Sequence, residues 1–276
     1  MRMPAFVLHL TAAFLLAAAL PAAAQPQPQT QPACEAEPVP APLLDAPLVV
    51  LGEVHGTEQV PAFVARYVCS AARRKPVRLA LEMPAAEQAR LDAFMGGAGT
   101  ADEQAALLAG PFWRRDFQDG RSSQAMLRML ESLRKMRAAG APVDVIAYDS
   151  SGAGREAGMA QHLRAAMARH GGSAFVVLTG GLHATRTRGN RFNPNFESMT
   201  YLLADLKPLS LTVVTDGGSA WVCNGQAAAA CGAKNWTINQ GARPQSGSVA
   251  LDAPSPQFDG SFHVGATTAS PPAVSP

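Results

Sequence analysis

Leu48-Val49-Val50-Leu51-Gly52-Glu53-Val54-His55 decides the fold, and Phe175-Val176-Val177-Leu178-Thr179-Gly180-Gly181-Leu182-His183 repeats its design. Each opens with an unbroken apolar, partly β-branched run, the pattern of a strand buried on both faces. Each run ends in glycine, which lets the backbone turn sharply. The histidine that follows lands at the carboxyl end of a strand, the edge of an open parallel sheet where ligands bind. Two imidazoles from two strands are therefore expected at one crevice.

Strand and helix signals alternate outward from these two runs. Strands are expected over residues 46–51, 77–83, 143–148, 174–179 and 209–215. Helices are expected over 58–73, 85–95, 101–108, 122–139, 155–170 and 198–206. The 122–139 segment carries Met126, Leu127, Leu130, Leu133 and Met136 on one helical stripe. This order predicts an α/β fold with a mainly parallel sheet, helices on both faces and a crevice at the carboxyl ends of the strands. Residues 221–236 read as a C-terminal hairpin at the sheet edge.

The termini differ in composition from the core of this 276-residue chain. Arg2, an apolar run over 5–19 and Ala22-Ala23-Ala24 predict a signal peptide over 1–24, cut after Ala24. Export to the periplasm or secretion follows, with no stable membrane anchor after cleavage. Residues 25–42 form a Pro/Gln-rich linker and 245–276 a Ser/Pro/Gly-rich tail, both expected to be disordered. The segment 43–244 is long enough for one α/β domain with a full core. A formal net charge of +2 and scattered basic residues argue against nucleic-acid binding. The four cysteines, Cys34, Cys69, Cys223 and Cys231, suggest disulfides in an exported chain. Cys223 and Cys231 flank a Gly/Ala-rich loop and are expected to pair, leaving Cys34 for Cys69. No C-x-x-C spacing supports a zinc site.

Ionisable groups collect where the strands are expected to end. Glu53 and His55 follow the first strand, Glu82 ends the second before Pro84, Asp149 ends the third and His183 follows the fourth. Arg155 opens the helix after Asp149. A carboxylate such as Glu82 at the end of a buried strand is costly without a partner. Singly, each has an ordinary role: His55 as a helix cap, Glu82 paired with Arg155, Asp149 as a turn former, His183 as a loop histidine. His162 and His170 read as a packed or solvated helix face. Trp113 and the basic loop 185–196 read as walls for a substrate.

Four motifs together resemble a known group: Leu51-Gly52-Glu53-Val54-His55-Gly56, Ala80-Leu81-Glu82-Met83, Gly154-Arg155-Glu156 and Thr179-Gly180-Gly181-Leu182-His183. In this order, over about residues 46–215, they are similar to the superfamily that joins ChaN-like haem-binding proteins, erythromycin esterases, TraB-like proteins and Tiki metalloproteases. The first motif is nearer the ChaN-like form, while Gly56-Thr57 after it is as in the esterases. The resemblance implies an ester or amide hydrolase acting on a small molecule or peptide, with His55, Glu53, Glu82, Arg155 and His183 as catalytic residues. In one version His55, Glu82 and His183 hold a divalent metal that activates water. In the other His55 is the general base, and Arg155 stabilises the oxyanion or holds a substrate carboxylate. The competing implication is a non-catalytic haem or iron carrier with histidine ligands. An interaction module with a degenerate site is the third.

Overall fold

The computed structural model describes Met1 and residues 34–275 apart from 226, 237–239, 242, 244–246 and 253–254. The expected signal peptide lies outside the described residues. Five parallel strands form the centre of the fold: β1 (Leu48–Glu53), β2 (Val77–Pro84), β3 (Val143–Asp149), β4 (Ala174–Gly180) and β5 (Leu209–Val214). Helices α1 (Ala41–Asp45), α2 (Gln59–Ala72), α3 (Gln88–Gly96), α4 (Ala101–Leu108), α5 (Pro111–Arg114), α6 (Gln124–Ala138), α7 (Arg155–Arg169) and α8 (Met199–Leu202) connect or flank them.

Every residue of β1 is buried, because the strand has a core on each side. Val49 and Leu51 join a cluster with α2, α3 and α6, including Phe63, Leu91 and Leu130. Leu48 and Val50 join a second cluster with α7 and α8, including Met159, Leu163 and Met199. The alternation follows from the two-residue period of a strand. Each fully buried Val or Leu stabilises the fold by about 1.5–3 kcal/mol, so a polar group at any position from Leu48 to Leu51 is costly.

The strand order is β3-β2-β4-β1-β5-β9-β8, with β8 (Val249–Ala250) and β9 (Gly260–His263) supplied by the C-terminal segment. β9 runs parallel to β5, and β8 pairs antiparallel with β9. The expectation of a disordered tail over 245–276 is thereby corrected for its described residues. Phe262 is fully buried and stacks on Phe63 at 4.9 Å, and Val249 is buried in the same cluster, apolar anchors that composition averaged over the segment conceals. Beyond β9, Glu58 N–H donates to Thr268, Ser270 N–H to Gly56, and Gln124 N–H to Pro271. Part of the N-terminal linker is also held. Cys34 is bonded to Cys69, Glu37 pairs with Arg66 at 2.9 Å, and α1 buries Leu43 and Leu44.

The hairpin forms from β6 (Gly218–Cys223) and β7 (Cys231–Trp236), closed by the Cys223–Cys231 disulfide. It is a separate two-stranded sheet and does not extend the edge of the main one. Trp221 explains the position: its N–H donates to Gly56 O at 2.8 Å and its Nε1–H to Gln118 O at 2.9 Å. The hairpin therefore clamps two loops at the carboxyl end of the main sheet. Among the described residues no helix is long and apolar enough to cross a membrane.

Candidate active site

β1 and β2 lead to helices packed in one core cluster, whereas β3 and β4 lead to α7 and α8 in the other. Connections that leave in opposite directions open a crevice at the carboxyl ends of the strands. Glu53 ends β1 and stands in register with Gly180 at the end of β4. Glu82 lies where the pairing of β2 with β3 shifts between Leu81 and Pro84. The structure brings all five expected residues, Glu53, His55, Glu82, Arg155 and His183, into one connected cluster.

His55 has a defined orientation. Its Nδ1 lies 2.9 Å from Glu53 Oε1. An ionised carboxylate only accepts hydrogen bonds, so Nδ1 carries the proton and Nε2 the lone pair. Nε2 is 3.7 Å from Glu82 Oε2, too far for a hydrogen bond, and the side chain is 21% exposed. Burial works against protonation of His55, but the charges of Glu82 and Glu53 overcome it and raise its pKa. Burial also raises the pKa of Glu53 itself, against the opposing effect of His55.

Glycine makes this arrangement possible. A Cβ on Gly180 would sit 3.1 Å from His55 Nε2, and one on Gly52 would meet Ala184 Cβ at 2.7 Å. Both turns must therefore approach each other without side chains.

Glu82 is the hub. Oε2 accepts from Thr179 Oγ1 at 3.0 Å and from Gly180 N–H at 2.8 Å. Oε1 accepts from Arg155 Nη2 at 2.6 Å and from Arg121 Nη1 at 3.0 Å. Burial opposes ionisation of Glu82, but His55, Arg121, His183 and the Gly180 N–H hold its pKa far below the usual carboxylate range. Asp149 closes a ring with the same two arginines. Its Oδ2 accepts from Arg121 Nη1 at 3.0 Å and Arg155 Nη2 at 2.9 Å, and its Oδ1 from Arg155 Nε at 2.8 Å.

His183 meets this ring through Arg155, whose Nη1 lies 3.2 Å from His183 Nε2. A guanidinium only donates, so Nε2 is the accepting nitrogen and Nδ1 carries the proton. Nδ1 faces Glu156 Oε1 at 2.6 Å. The carboxylate is out of line with the N–H, so the pair is held by electrostatic attraction and not by a formed hydrogen bond.

Arg121 is the member of this cluster that the sequence did not single out. It sits in a loop crowded with charges, Arg114, Arg115, Asp116 and Asp119, where no periodicity marks one residue from another. Its only signal is Gly120, which has φ +95° and whose Cβ would lie 2.6 Å from Gly56 Cα. Asp119 grips Arg121 at 2.7 Å and Arg115 at 2.6 Å. Trp113, expected as a substrate wall, is fully buried in the core cluster instead. Its large apolar ring is better served by Met and Leu neighbours than by a polar crevice.

The expected metal donors His55, Glu82 and His183 do meet, with both imidazoles 3.7 Å from Glu82. Glu82 and His183 have their donor atoms engaged, and only His55 Nε2 is unbonded. Both oxygens of Glu82 are hydrogen-bonded, His183 Nε2 accepts from Arg155, and two guanidiniums stand beside them. Among the described residues no group of three or more His, Cys, Asp or Glu is arranged to hold a metal ion. A divalent cation does not fit this charge pattern as it stands. Haem ligation meets a similar obstacle, because the surroundings of both imidazoles are carboxylates and guanidiniums.

No family model matches the chain, and no curated protein matches it. Solved structures do. An erythromycin esterase, EreC, in its open conformation superposes with a TM-score of 0.61 at 10% identity, covering 83% of this chain and 93% of that one. A succinoglycan biosynthesis protein gives 0.61 at 11% identity over 83% and 90%. A Bacillus cereus protein gives 0.55 at 12% identity over 88% and 96%. The chain thus has the fold of erythromycin esterase and of these two other proteins, the fold that its four motifs imply.

Proposed function

We propose that the protein hydrolyses an ester or amide bond in a small molecule or peptide, with His55 as general base and no metal. The Glu53–His55 pair carries this reading: a buried carboxylate fixes the imidazole and leaves Nε2 without a hydrogen bond, beside Gly180 and Glu82 at the strand ends. Water gives a proton to Nε2 as its oxygen attacks the carbonyl carbon. The carbonyl π electrons move to oxygen, where the Arg155 Nη1 hydrogen not directed at His183 stabilises the charge. Collapse of the tetrahedral intermediate expels the leaving oxygen or nitrogen, which takes the proton back from His55. Glu82 and Asp149 hold Arg155 in place throughout. The two disulfides agree with an oxidising compartment, as export would require.

The test is turnover of p-nitrophenyl acetate and a panel of peptide amides, with and without EDTA. His55→Ala should lower kcat/KM by about 10²-fold or more, and EDTA should leave the rate unchanged. Full activity in both His55→Ala and His183→Ala would end the proposal. Loss in EDTA, restored by one divalent ion, would replace it with the metal-assisted version.

A further inference from the structure

We infer that this site takes substrates bearing an anionic group, a carboxylate or phosphate, which Arg115 receives in a cleft that Arg155 also lines. The inference rests on the hydrolase reading for its chemistry, but its geometry stands apart from it. The cleft encloses about 520 Å³, and Arg115, Arg121, Arg155, Asp149, Ser150 and Ser151 are among the residues that line it. Of the carboxylates that balance these arginines, Glu82 and Asp119 do not line the cleft, and Asp149 alone reaches it. The wall facing the cavity is therefore richer in guanidinium than the cluster behind it.

The three arginines are not equivalent. The Arg155 donors go to Glu82, Asp149, the Ser150 carbonyl and His183. Arg121 is consumed by Asp119, Glu82 and Asp149. Arg115 gives only Nη2, to Asp119 at 2.6 Å. Its Nε is buried with no hydrogen-bond partner, and Nη1 makes no hydrogen bond among the described residues. Yet Arg115 is not loose: its guanidinium lies 4.7 Å over the Phe112 ring, and its side chain is 22% exposed. A guanidinium held in place, always charged and with Nη1 unused at a cavity wall, is suited to a planar or tetrahedral oxyanion. The Ser150 and Ser151 hydroxyls, also without hydrogen-bond partners among the described residues, add donors at the same wall.

Arg155 ties this subsite to the reacting centre. It lines the cleft and also touches His183 Nε2 at 3.2 Å. An anion seated against Arg115 therefore lies on one side of Arg155 and the scissile carbonyl on the other. Substrates would carry the anionic group a few bonds from the ester or amide. This assigns to Arg115 the carboxylate-holding role expected of Arg155, whose donors the protein already uses apart from the one Nη1 hydrogen that serves the oxyanion.

The test is calorimetric titration of the full chain with inorganic phosphate and, separately, with succinate. Saturable binding of either anion is expected, and the stronger of the two identifies the preferred group. Arg115→Gln should weaken that binding about tenfold or more. Ser151→Asp, at an exposed position that leaves the core untouched, should weaken it too by placing a carboxylate at the cleft. His55→Ala should bind the anion like the wild type. No saturable binding of either anion to the wild type would overturn the inference, as would wild-type affinity in both Arg115→Gln and Ser151→Asp. Anion binding without any ester or amide turnover would remove the hydrolase reading and leave the subsite standing.

Discussion

Arg155 donates from Nη1 to Nε2 of His183 over 3.2 Å, and this one contact separates the roles of the two histidines. His183 has its lone pair engaged by a permanent cation. His55 has its proton fixed by Glu53 and its lone pair unbonded. The paired Gly-X-X-His turns are alike in sequence but not in chemistry.

The first prediction concerns pH. Glu82 and Glu53 raise the pKa of His55 over the opposing effect of burial, and a base works only when deprotonated. The rate of hydrolysis should therefore rise with pH through a midpoint above 6.5, the ordinary value of the group. In Glu53→Gln that midpoint should shift down, because one of the carboxylates that raise it is gone. The plateau should also fall, by about 10²-fold or more, because the ring loses its orientation. A pH–rate profile of both proteins checks the two effects, and a midpoint unmoved by Glu53→Gln would dissociate the pair.

Gly180→Ala should damage activity more than stability. The added methyl would sit 3.1 Å from His55 Nε2 and 3.6 Å from Glu82 Oε2, so the imidazole has to swing away from its position. Overpacking of this kind costs about 1–3 kcal/mol, which a fold with two full cores survives. The expected result is a cooperative melt at modestly lower temperature with kcat reduced at least tenfold. Wild-type kcat in this variant would show that His55 is not held where the reaction needs it.

Much of this architecture is legible in the amino-acid order alone. β1 to β5 announce themselves because strands buried on both faces are written as apolar runs, and the site residues because they follow those runs directly. β9 is not legible, since Gly260–His263 has one large apolar residue, Phe262, in a stretch otherwise rich in Ser, Pro and Gly. The hairpin is readable as a hairpin from its cysteines and tryptophans. Its position is not, because that depends on Trp221 meeting the backbone of two distant loops. Arg121 is hidden for a related reason: a long-range ion pair leaves no local pattern.

Arg121→Met should be the most destabilising single change in the site. Arg121 Nη1 bridges Glu82 and Asp149 at 3.0 Å each, and both carboxylates are buried. Removing one partner of a buried ion pair costs about 3–5 kcal/mol, because the remaining charge stays uncompensated. The acid limb should move as well. Glu82 has a depressed folded pKa, so its stabilisation is fully present above the unfolded value of 4.5 and is lost as pH falls through the folded one. Without Arg121 the folded pKa rises towards 4.5, and less of this stabilisation exists to be lost. Denaturant titrations from pH 7 down to about pH 2 should show the variant's deficit narrowing as pH falls below its own folded Glu82 pKa towards that of the wild type. A deficit that stays constant over that range would assign the loss to packing alone.

Truncation after Gly265 tests the strap that the sequence concealed. Residues beyond that point make six backbone hydrogen bonds to three parts of the molecule among the described residues. Thr267 pairs with Gly217 and Ser219, Thr268 accepts from Glu58, Ser270 donates to Gly56, Pro271 accepts from Gln124, and Ala273 donates to Ser122. Gly56 follows His55 directly, and Ser122 follows Arg121. At about 0.5–1.5 kcal/mol net for each bond, the shortened chain should lose about 3 kcal/mol or more. The loss should be uneven, because β1 to β5 and β9 remain intact. Hydrogen exchange should accelerate at Glu58, Gln124 and Ala125, whose N–H groups donate to the strap, and hardly change in β2 or β4. Activity should fall with the loosening of His55 and Arg121, at temperatures where the sheet is still folded. Uniform acceleration across the sheet would instead make the strap an ordinary part of global stability, with no special hold on the site.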